Sequence, residues 1–239
     1  MTTGEISHSP DLVGAVARHG GRLDEFDGHS RWWLTDPEAT ATSTALELGL
    51  TESRRLFQMR RPLPLDASGA GRTPLETRAF DPTCDVEAWL AINNAAFAWH
   101  PDQGNWTAAQ LTERMAEPWF DLDDFRVADL DGAMSGFCWT KVHRDHEPLI
   151  GEIYVIAIDP ARVGTGLGSA MTRAGLDWLW EQRKTPIAML YVEADNTAAL
   201  ATYRRLGFEV HLTDVAYEPA PTRPAAPSRP AAPSRPAAP

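Results

Sequence analysis

The sequence predicts an α/β fold in which a mixed β-sheet is flanked by helices. Three observations predict it: an Asp131-Gly132 pair between two apolar runs, an alternation of strand-like and helix-like segments after it, and an internal repeat. An Asp-Gly pair is a strong signal for an antiparallel hairpin, whereas a strand, a helix and a second strand in succession favour parallel pairing. Both kinds of pairing are therefore expected in one sheet.

The elements expected between Pro74 and Glu218 follow from hydrophobic periodicity. Thr107 and Gln110 have the spacing of a capping box, which predicts a helix that begins just after Thr107. The other predicted elements are, in order, strand Glu76–Phe80, helix Val86–Ala98, strands Phe125–Leu130, Met134–Val142 and Glu152–Ile158, helix Leu167–Gln182, strand Ala188–Glu193, helix Thr197–Leu206 and strand Phe208–Tyr217.

The internal repeat relates the two ends of the chain. Asp36–Leu50 resembles Ala194–Phe208, and aligning their Leu-Gly pairs sets Ala45 opposite Tyr203. We therefore expect residues 1–62 to be the C-terminal half of a second, truncated copy of the domain at 74–218. Residues 63–73 have the composition of a linker, and the Pro/Ala-rich residues 219–239 that of a disordered, solvated tail.

Composition excludes several classes of function. The net charge of −11 disfavours nucleic acid and anionic membranes as partners, since both require clustered cations. No apolar run approaches the roughly 20 residues that cross a bilayer. The polar N-terminus lacks an apolar signal core, and the two cysteines form no paired motif, so we expect a soluble cytoplasmic protein with reduced thiols.

The stretch Gly151–Ser169 carries the most chemical information. An apolar strand ends at Asp159-Pro160, and Gly164, Gly166 and Gly168 then alternate at a predicted helix start. Free N–H groups and the positive end of a helix dipole favour a phosphate there, although a glycine-rich turn without a ligand is the alternative. The spacing fits neither a Walker loop nor a Rossmann turn. It resembles the pyrophosphate loop of the GNAT acyl-CoA N-acyltransferases.

Four blocks of sequence are similar to one family within the GNAT enzymes, the mycothiol synthases. The blocks are Asn93–Trp106, Gly136–His146, Gly151–Pro160 and Leu190–Phe208. The similarity is close over residues 74–217 and loose over residues 10–62. It implies acetyl transfer from acetyl-CoA, as co-substrate, to the cysteine amine of cysteinyl-glucosaminyl-inositol, giving mycothiol. This sequence departs from the family in Val163, where the family has Gln or Arg, and in Asp102, where it has Glu, and we expect most of the family's first domain to be absent from it.

Two residues are the candidates for proton transfer. By a period of two, Glu152 would share a strand face with Tyr154, Ile156 and Ile158, and apolar neighbours would raise the pKa of its carboxyl, as a general base requires. The resemblance implies the same role for Glu152, and implies that Tyr203 protonates the leaving thiolate. A solvated strand-end glutamate and a core tyrosine are the alternatives. Ala45, at the position equivalent to Tyr203, has no proton to donate.

The resemblance also implies the binding residues. Asp102, Lys141, Glu152 and Tyr191 would contact the acceptor, although Lys141 could equally be a solvent-facing strand lysine. No metal is expected, and zinc at His143 and His146 is a weak alternative because no cysteine accompanies them. Acetyl-CoA would contact Ile156, Ala157, Ile158, Val163, Gly164, Thr165, Gly166, Leu167, Gly168, Ser169, Asn196, Thr197, Ala198, Ala199, Leu200 and Ala201, with backbone amides of Ile156–Ile158 serving as an oxyanion hole.

Two other functions stay open at this point. One is a GNAT enzyme that acetylates another small amine or a protein N-terminus, and the other is a non-catalytic CoA-binding module. In the leading hypothesis the expected partner is a small-molecule thiol-sugar substrate, and the expected state is a monomer.

Overall fold

The computed structural model describes residues 9–65, 74–98 and 104–220. These residues divide into two compact units, one made of residues 9–55 and 214–220 and the other of Leu56–Thr213. The elements in chain order are α1 (Pro10–His19), β1 (Arg22–Phe26), β2 (His29–Thr35), α2 (Ala39–Glu47), β3 (Leu50–Pro62), β4 (Arg78–Ala79), α3 (Val86–Ala96), α4 (Ala108–Met115), β5 (Phe125–Leu130), β6 (Ala133–His143), β7 (Ile150–Ile158), α5 (Leu167–Glu181), β8 (Ile187–Glu193), α6 (Thr197–Arg205) and β9 (Glu209–Pro219).

In the first unit, α1 and α2 pack on a small sheet with the order β1-β2-β9-β3. β1 and β2 form a hairpin through Asp27-Gly28, whose residues both have a positive φ. β2 then pairs with the end of β9, from Trp32 opposite Tyr217 to Thr35 opposite Asp214. Trp32 is fully buried in the core of this unit.

The division into units differs from the predicted domain boundaries, because the long strands β3 and β9 each contribute residues to both units. The repeat nevertheless has a structural counterpart. α2 and α6 both end in a Leu-Gly pair whose glycine, Gly49 or Gly207, has a positive φ, and both lead into a long strand. The descent of the two segments from one ancestral copy stays a prediction.

The sheet of the second unit has the order β3-β8-β7-β6-β5-β4. β7 and β8 are parallel, and the other neighbours are antiparallel, which confirms a mixed sheet flanked by helices. Helices α5 and α6 pack on one face around a core that contains Met171 and Leu200. Helices α3 and α4 pack on the other face, around Trp89 and Leu111. We refer to these as the α5/α6 face and the α3/α4 face.

The local signals that predicted elements of this unit are confirmed. The side chain of Thr107 accepts from the Gln110 amide while the Gln110 side chain accepts from the Thr107 amide, so the capping box is complete. Leu130 and Ala133 are opposite one another across Asp131-Gly132, as a two-residue hairpin turn requires. The predicted helices and strands of this unit all exist, with ends that move by a few residues.

One expectation about β7 is wrong. Trp139 of β6 is opposite Val155, and the next residue, Thr140, is opposite Ile153, so Tyr154 is an extra, bulged residue. The bulge interrupts the period of two. Tyr154 packs on the α3/α4 face, whereas Ile156 and Ile158 pack on the α5/α6 face. Glu152 therefore shares a face with Tyr154 but not with the two isoleucines.

The same region is where β7 and β8 separate. Their described pairing runs from Ile150 opposite Ile187 to Ile153 opposite Leu190, and β7 continues to Ile158 beyond it. Backbone groups of β7 past the bulge are thus available on the β8 side.

No helix in the described part of the chain is both long and apolar enough to cross a membrane.

Removing residues 1–73 should destabilise the second unit. β3 pairs with β8 along Leu56–Pro62, and the Arg61 guanidinium donates to the Leu206 carbonyl at the end of α6. Without β3, these groups and the core position filled by Met59 are exposed, since Met59 is fully buried. Urea unfolding of the Pro74–Pro239 fragment should give a lower free energy of unfolding than the whole chain. A fragment of equal stability would refute this.

Candidate active site

The glycine loop is a short turn that leads directly into α5. Asp159 caps a turn of 3-10 helix at Pro160–Arg162 by accepting from the Ala161 amide. Gly164 and Gly166 then have φ values of +85° and +89°, which L side chains rarely adopt. α5 begins at Leu167, so its first N–H groups have no intrahelical acceptor and its positive dipole end is at the loop.

A cleft of about 590 Å³ lies in front of this loop. This volume is within the range of small-molecule sites, roughly 300–1,000 Å³. A Cβ added at Gly164 or Gly166 would meet no atom within 4 Å, because both positions adjoin open space. Eleven predicted cofactor residues line the cleft: Ile156, Ala157, Ile158, Val163, Gly164, Gly166, Gly168, Ser169, Ala198, Ala199 and Ala201.

The other five predicted cofactor residues do not line the cleft. Leu167 and Leu200 are buried in the protein. Asn196 caps α6 by accepting from the Ala199 amide, and the Thr165 hydroxyl donates to the Arg162 carbonyl. Thr197 is the exposed first residue of α6. These residues shape the two helix starts.

Three lining residues were absent from the sequence prediction: Thr172, Thr202 and Arg205. Each lies four residues after a predicted lining residue on the same helix, so helical spacing could have identified them. Arg205 adds a cation to a site expected to bind phosphate. Arg162 does not take that role here, since its guanidinium pairs with Asp131 at 2.6 Å.

Tyr203 lines the cleft from α6 and is partly buried. Its ring makes an edge contact with Phe208, with centroids 5.8 Å apart. Burial raises the pKa of the Tyr203 hydroxyl above its usual range, and Cys138 adds to the shift. The hydroxyl is therefore protonated at neutral pH and can act as a proton donor. Burial also raises the pKa of the Cys138 thiol, to about 12.

Glu152 is on β7 two residues before the bulge, and is 7% exposed. Its Oε2 is 2.7 Å from Nε2 of His143, a partner that the sequence analysis did not identify. Lys141 is directly opposite Glu152 on β6. Its ammonium lies over the rings of Trp119 and Tyr154, at 4.7 and 5.9 Å from their centroids. Lys141 is therefore held against aromatic rings and is not a freely solvated strand lysine.

Tyr191 belongs to the same face by register. Met189 of β8 is opposite Glu152, and Tyr191 follows two residues later. Tyr191 is 44% exposed, and its hydroxyl accepts from Gln58 Nε2 at 2.7 Å. Three of the four predicted acceptor residues thus share the α3/α4 face. The fourth, Asp102, lies outside the described residues.

His143 and His146 also belong to a possible cation-binding cluster. One ligand atom from each of His143, Asp145 and His146 lies within 4.8 Å of the others, and the last two residues are exposed. Because His143 Nε2 faces Glu152, only Nδ1 of that ring is available to a cation. The expectation that no metal is required stays a prediction.

Comparison with known proteins agrees with this geometry. Residues 86–208 match the model of the acetyltransferase (GNAT) family. A GCN5-related N-acetyltransferase from Sphaerobacter thermophilus has the same fold, with a TM-score of 0.63 at 20% identity over 80% of this chain and 60% of that one. The chain is therefore a member of the GNAT family, an acetyl-CoA-dependent N-acetyltransferase.

Relatives within that family identify a narrower group to which the chain belongs. The mycothiol acetyltransferase of Mycobacterium avium (strain 104) is 43% identical over 220 residues, covering 87% of this chain and 69% of that protein. The mycothiol acetyltransferase of Mycolicibacterium gilvum (strain PYR-GCK) is 49% identical over 204 residues, covering 82% of this chain and 65% of that protein. The chain belongs to the mycothiol acetyltransferases.

The cleft can be tested at Gly168. This residue is in the first turn of α5, without a positive φ, and an added Cβ would be 3.8 Å from Ile158 Cδ1. Gly168→Leu should therefore fold normally while its side chain fills the cleft. We expect calorimetry to show acetyl-CoA affinity at least about tenfold lower, which is roughly 1.4 kcal/mol.

Gly166→Leu should abolish acetyl-CoA binding, but its φ of +89° adds backbone strain, so Gly168 is the cleaner position for the test. Gly14→Leu, in helix α1, is the matched control and should bind normally. Unchanged affinity in Gly168→Leu would contradict the assignment of the cleft to acetyl-CoA.

Proposed function

We propose that this enzyme transfers the acetyl group of acetyl-CoA to the cysteine amine of cysteinyl-glucosaminyl-inositol, giving mycothiol. One observation carries the proposal. The residues expected to hold the acceptor, Lys141, Glu152 and Tyr191, are on the α3/α4 face, whereas the glycine loop and Tyr203 are on the α5/α6 side. The two groups adjoin the place where β7 and β8 separate, so an acyl group entering from one side would meet an amine from the other.

The acceptor side suits a polar, hydroxyl-rich amine. Lys141 is a donor only, Glu152 is an acceptor when ionised, and the Tyr191 hydroxyl can be either. The aromatic rings of Trp119 and Tyr154 form an apolar floor beside them, with centroids 4.9 Å apart. Rings of this kind fit the apolar face of a sugar or inositol ring. This combination supports a thiol-sugar acceptor over an extended peptide.

The reaction requires a neutral amine, a polarised carbonyl and a proton for the leaving thiolate. Acetyl-CoA supplies an activated thioester. Glu152 would take a proton from the acceptor ammonium, since its carboxylate shares the face of Lys141 and Tyr191. Backbone N–H groups of Ile156–Ile158, beyond the described pairing with β8, can stabilise negative charge on the carbonyl oxygen. The Tyr203 hydroxyl, kept protonated by burial, can then protonate the thiolate and regain a proton from the amide nitrogen, which loses its second proton as the intermediate collapses.

The acceptor is tested by initial rates on a panel of amines. We expect the kcat/KM for cysteinyl-glucosaminyl-inositol to be at least about 10²-fold higher than that for spermidine or peptide N-termini. Desacetylated glucosaminyl-inositol, which lacks the cysteine, is the matched control and should be inert. Faster turnover of a peptide or polyamine would refute the proposed acceptor, and tight acetyl-CoA binding without turnover of any amine would indicate a non-catalytic module.

The two proton-transfer roles predict different pH–rate profiles. Glu152→Gln should lower the rate by about 10²–10⁴-fold, the usual size of a general-base effect. Its defect should shrink as pH rises, because free amine then forms without the base. Acetyl-CoA affinity should not change, since the loop provides it.

Tyr203→Phe should instead be impaired at every pH below the thiol pKa of roughly 8–9. The raised pKa of Tyr203 means that its proton is present throughout that range, so the wild type retains the donor and the variant never has it. Near-full turnover by either variant on the cysteinyl acceptor would contradict its assignment.

A further inference from the structure

His143 is the closest polar neighbour of the proposed base among the described contacts. Its Nε2 is 2.7 Å from Glu152 Oε2, and the two side chains are 19% and 9% exposed. By the alternation of β6, His143 lies on the α3/α4 face with Lys141. The ring is therefore between the buried carboxylate and the exposed turn that follows β6.

A buried base must release its proton after each turnover. The charged and titratable groups that surround Glu152 in the described residues differ in their ability to accept one. Lys141, opposite it, is an ammonium without a lone pair. Burial raises the pKa of the Tyr154 hydroxyl, so it remains a donor. His143 is the group with a basic nitrogen in direct contact, and its ring meets that of the exposed His146, with centroids 5.9 Å apart.

We propose that His143 positions the Glu152 carboxylate and conducts its proton to solvent. The proposal rests on the proposed role of Glu152. Glu152 takes one proton from the acceptor ammonium and becomes a neutral acid. At rest, Nε2–H of the His143 ring donates to the ionised carboxylate. Once Glu152 carries the extra proton, exchange with water moves the ring hydrogen from Nε2 to Nδ1. Nε2 then receives the Glu152 proton while Nδ1 releases its own to water on the side of His146, which restores the resting tautomer. Glu152 is again a carboxylate, and the net change is one proton moved from substrate to solvent.

The test separates proton conduction from a structural role. His143→Gln keeps a polar side chain near Glu152 but cannot conduct a proton, and His143→Ala leaves a space at the ring position. Both should lower kcat by about 10²-fold, the lower end of acid–base effects, with the KM for acetyl-CoA unchanged. Added imidazole should raise the kcat of His143→Ala at least tenfold and should leave the kcat of His143→Gln unchanged. His211→Gln, at an exposed histidine of β9, is the matched control and should equal the wild type.

Three kinetic results would overturn the proposal. They are near-wild-type turnover in both variants, equal losses that imidazole does not rescue, and loss of wild-type activity on treatment with EDTA, which would assign His143 to a cation. The kinetics use whichever amine the wild type acetylates. A wrong acceptor assignment would therefore be recognised from the wild-type rates, independently of the His143 variants.

A second readout requires no turnover. Nitrogen-15 spectra of the histidine rings should show the His143 signals, identified by their loss in His143→Gln, shifting when Glu152 is replaced by Gln. The His211 signals should not move. An unshifted His143 ring would show that the contact with Glu152 is absent in solution and would overturn the proposal.

Discussion

The extra residue at Tyr154 determines how the rest of the site is arranged. Before the bulge, β7 turns Glu152 toward the α3/α4 face; after it, Ile156 and Ile158 turn toward the α5/α6 face. The separation of β7 from β8 begins at the same level. A regular strand would have directed Glu152, the proposed base, and the cleft-lining isoleucines to one side. With the bulge, each substrate can have its own face of the sheet, and the reacting groups can meet through the opening between two strands.

Elements with strong local determinants were predictable from the sequence. The capping box at Thr107 and the Asp131-Gly132 turn both depend on hydrogen bonds and backbone conformations within a few residues. A short window of sequence is therefore enough to predict each element. The alternating glycines likewise indicated the loop, since two of them have a backbone conformation that other residues rarely adopt. A second Asp-Gly pair, Asp27-Gly28, carried the same hairpin signal and was missed.

Features that depend on pairing between strands were not predictable. The bulge is defined by the register of β6 against β7, and no residue type near Tyr154 predicts it from the sequence. The same register brings His143 to Glu152, nine residues away, whereas spacing alone directed attention to His146 and zinc. The environment of Lys141 was not predictable for the same reason, because its aromatic neighbour Trp119 comes from a distant segment of the chain.

The environment of the cysteines has a chemical consequence for a protein that handles thiols. Both the free CoA thiol and the cysteinyl acceptor can exchange with any disulfide, but only a thiolate attacks. With a pKa of about 12, Cys138 is almost entirely protonated at neutral pH, and it lies fully buried beneath Gly175 of α5. Desolvation and the neighbouring carboxylates of Asp81 and Asp85 raise the pKa of the Cys84 thiol as well. Both protein thiols are thus less ionised at neutral pH than a free cysteine, which slows their attack on oxidised forms of either substrate thiol and the formation of mixed disulfides.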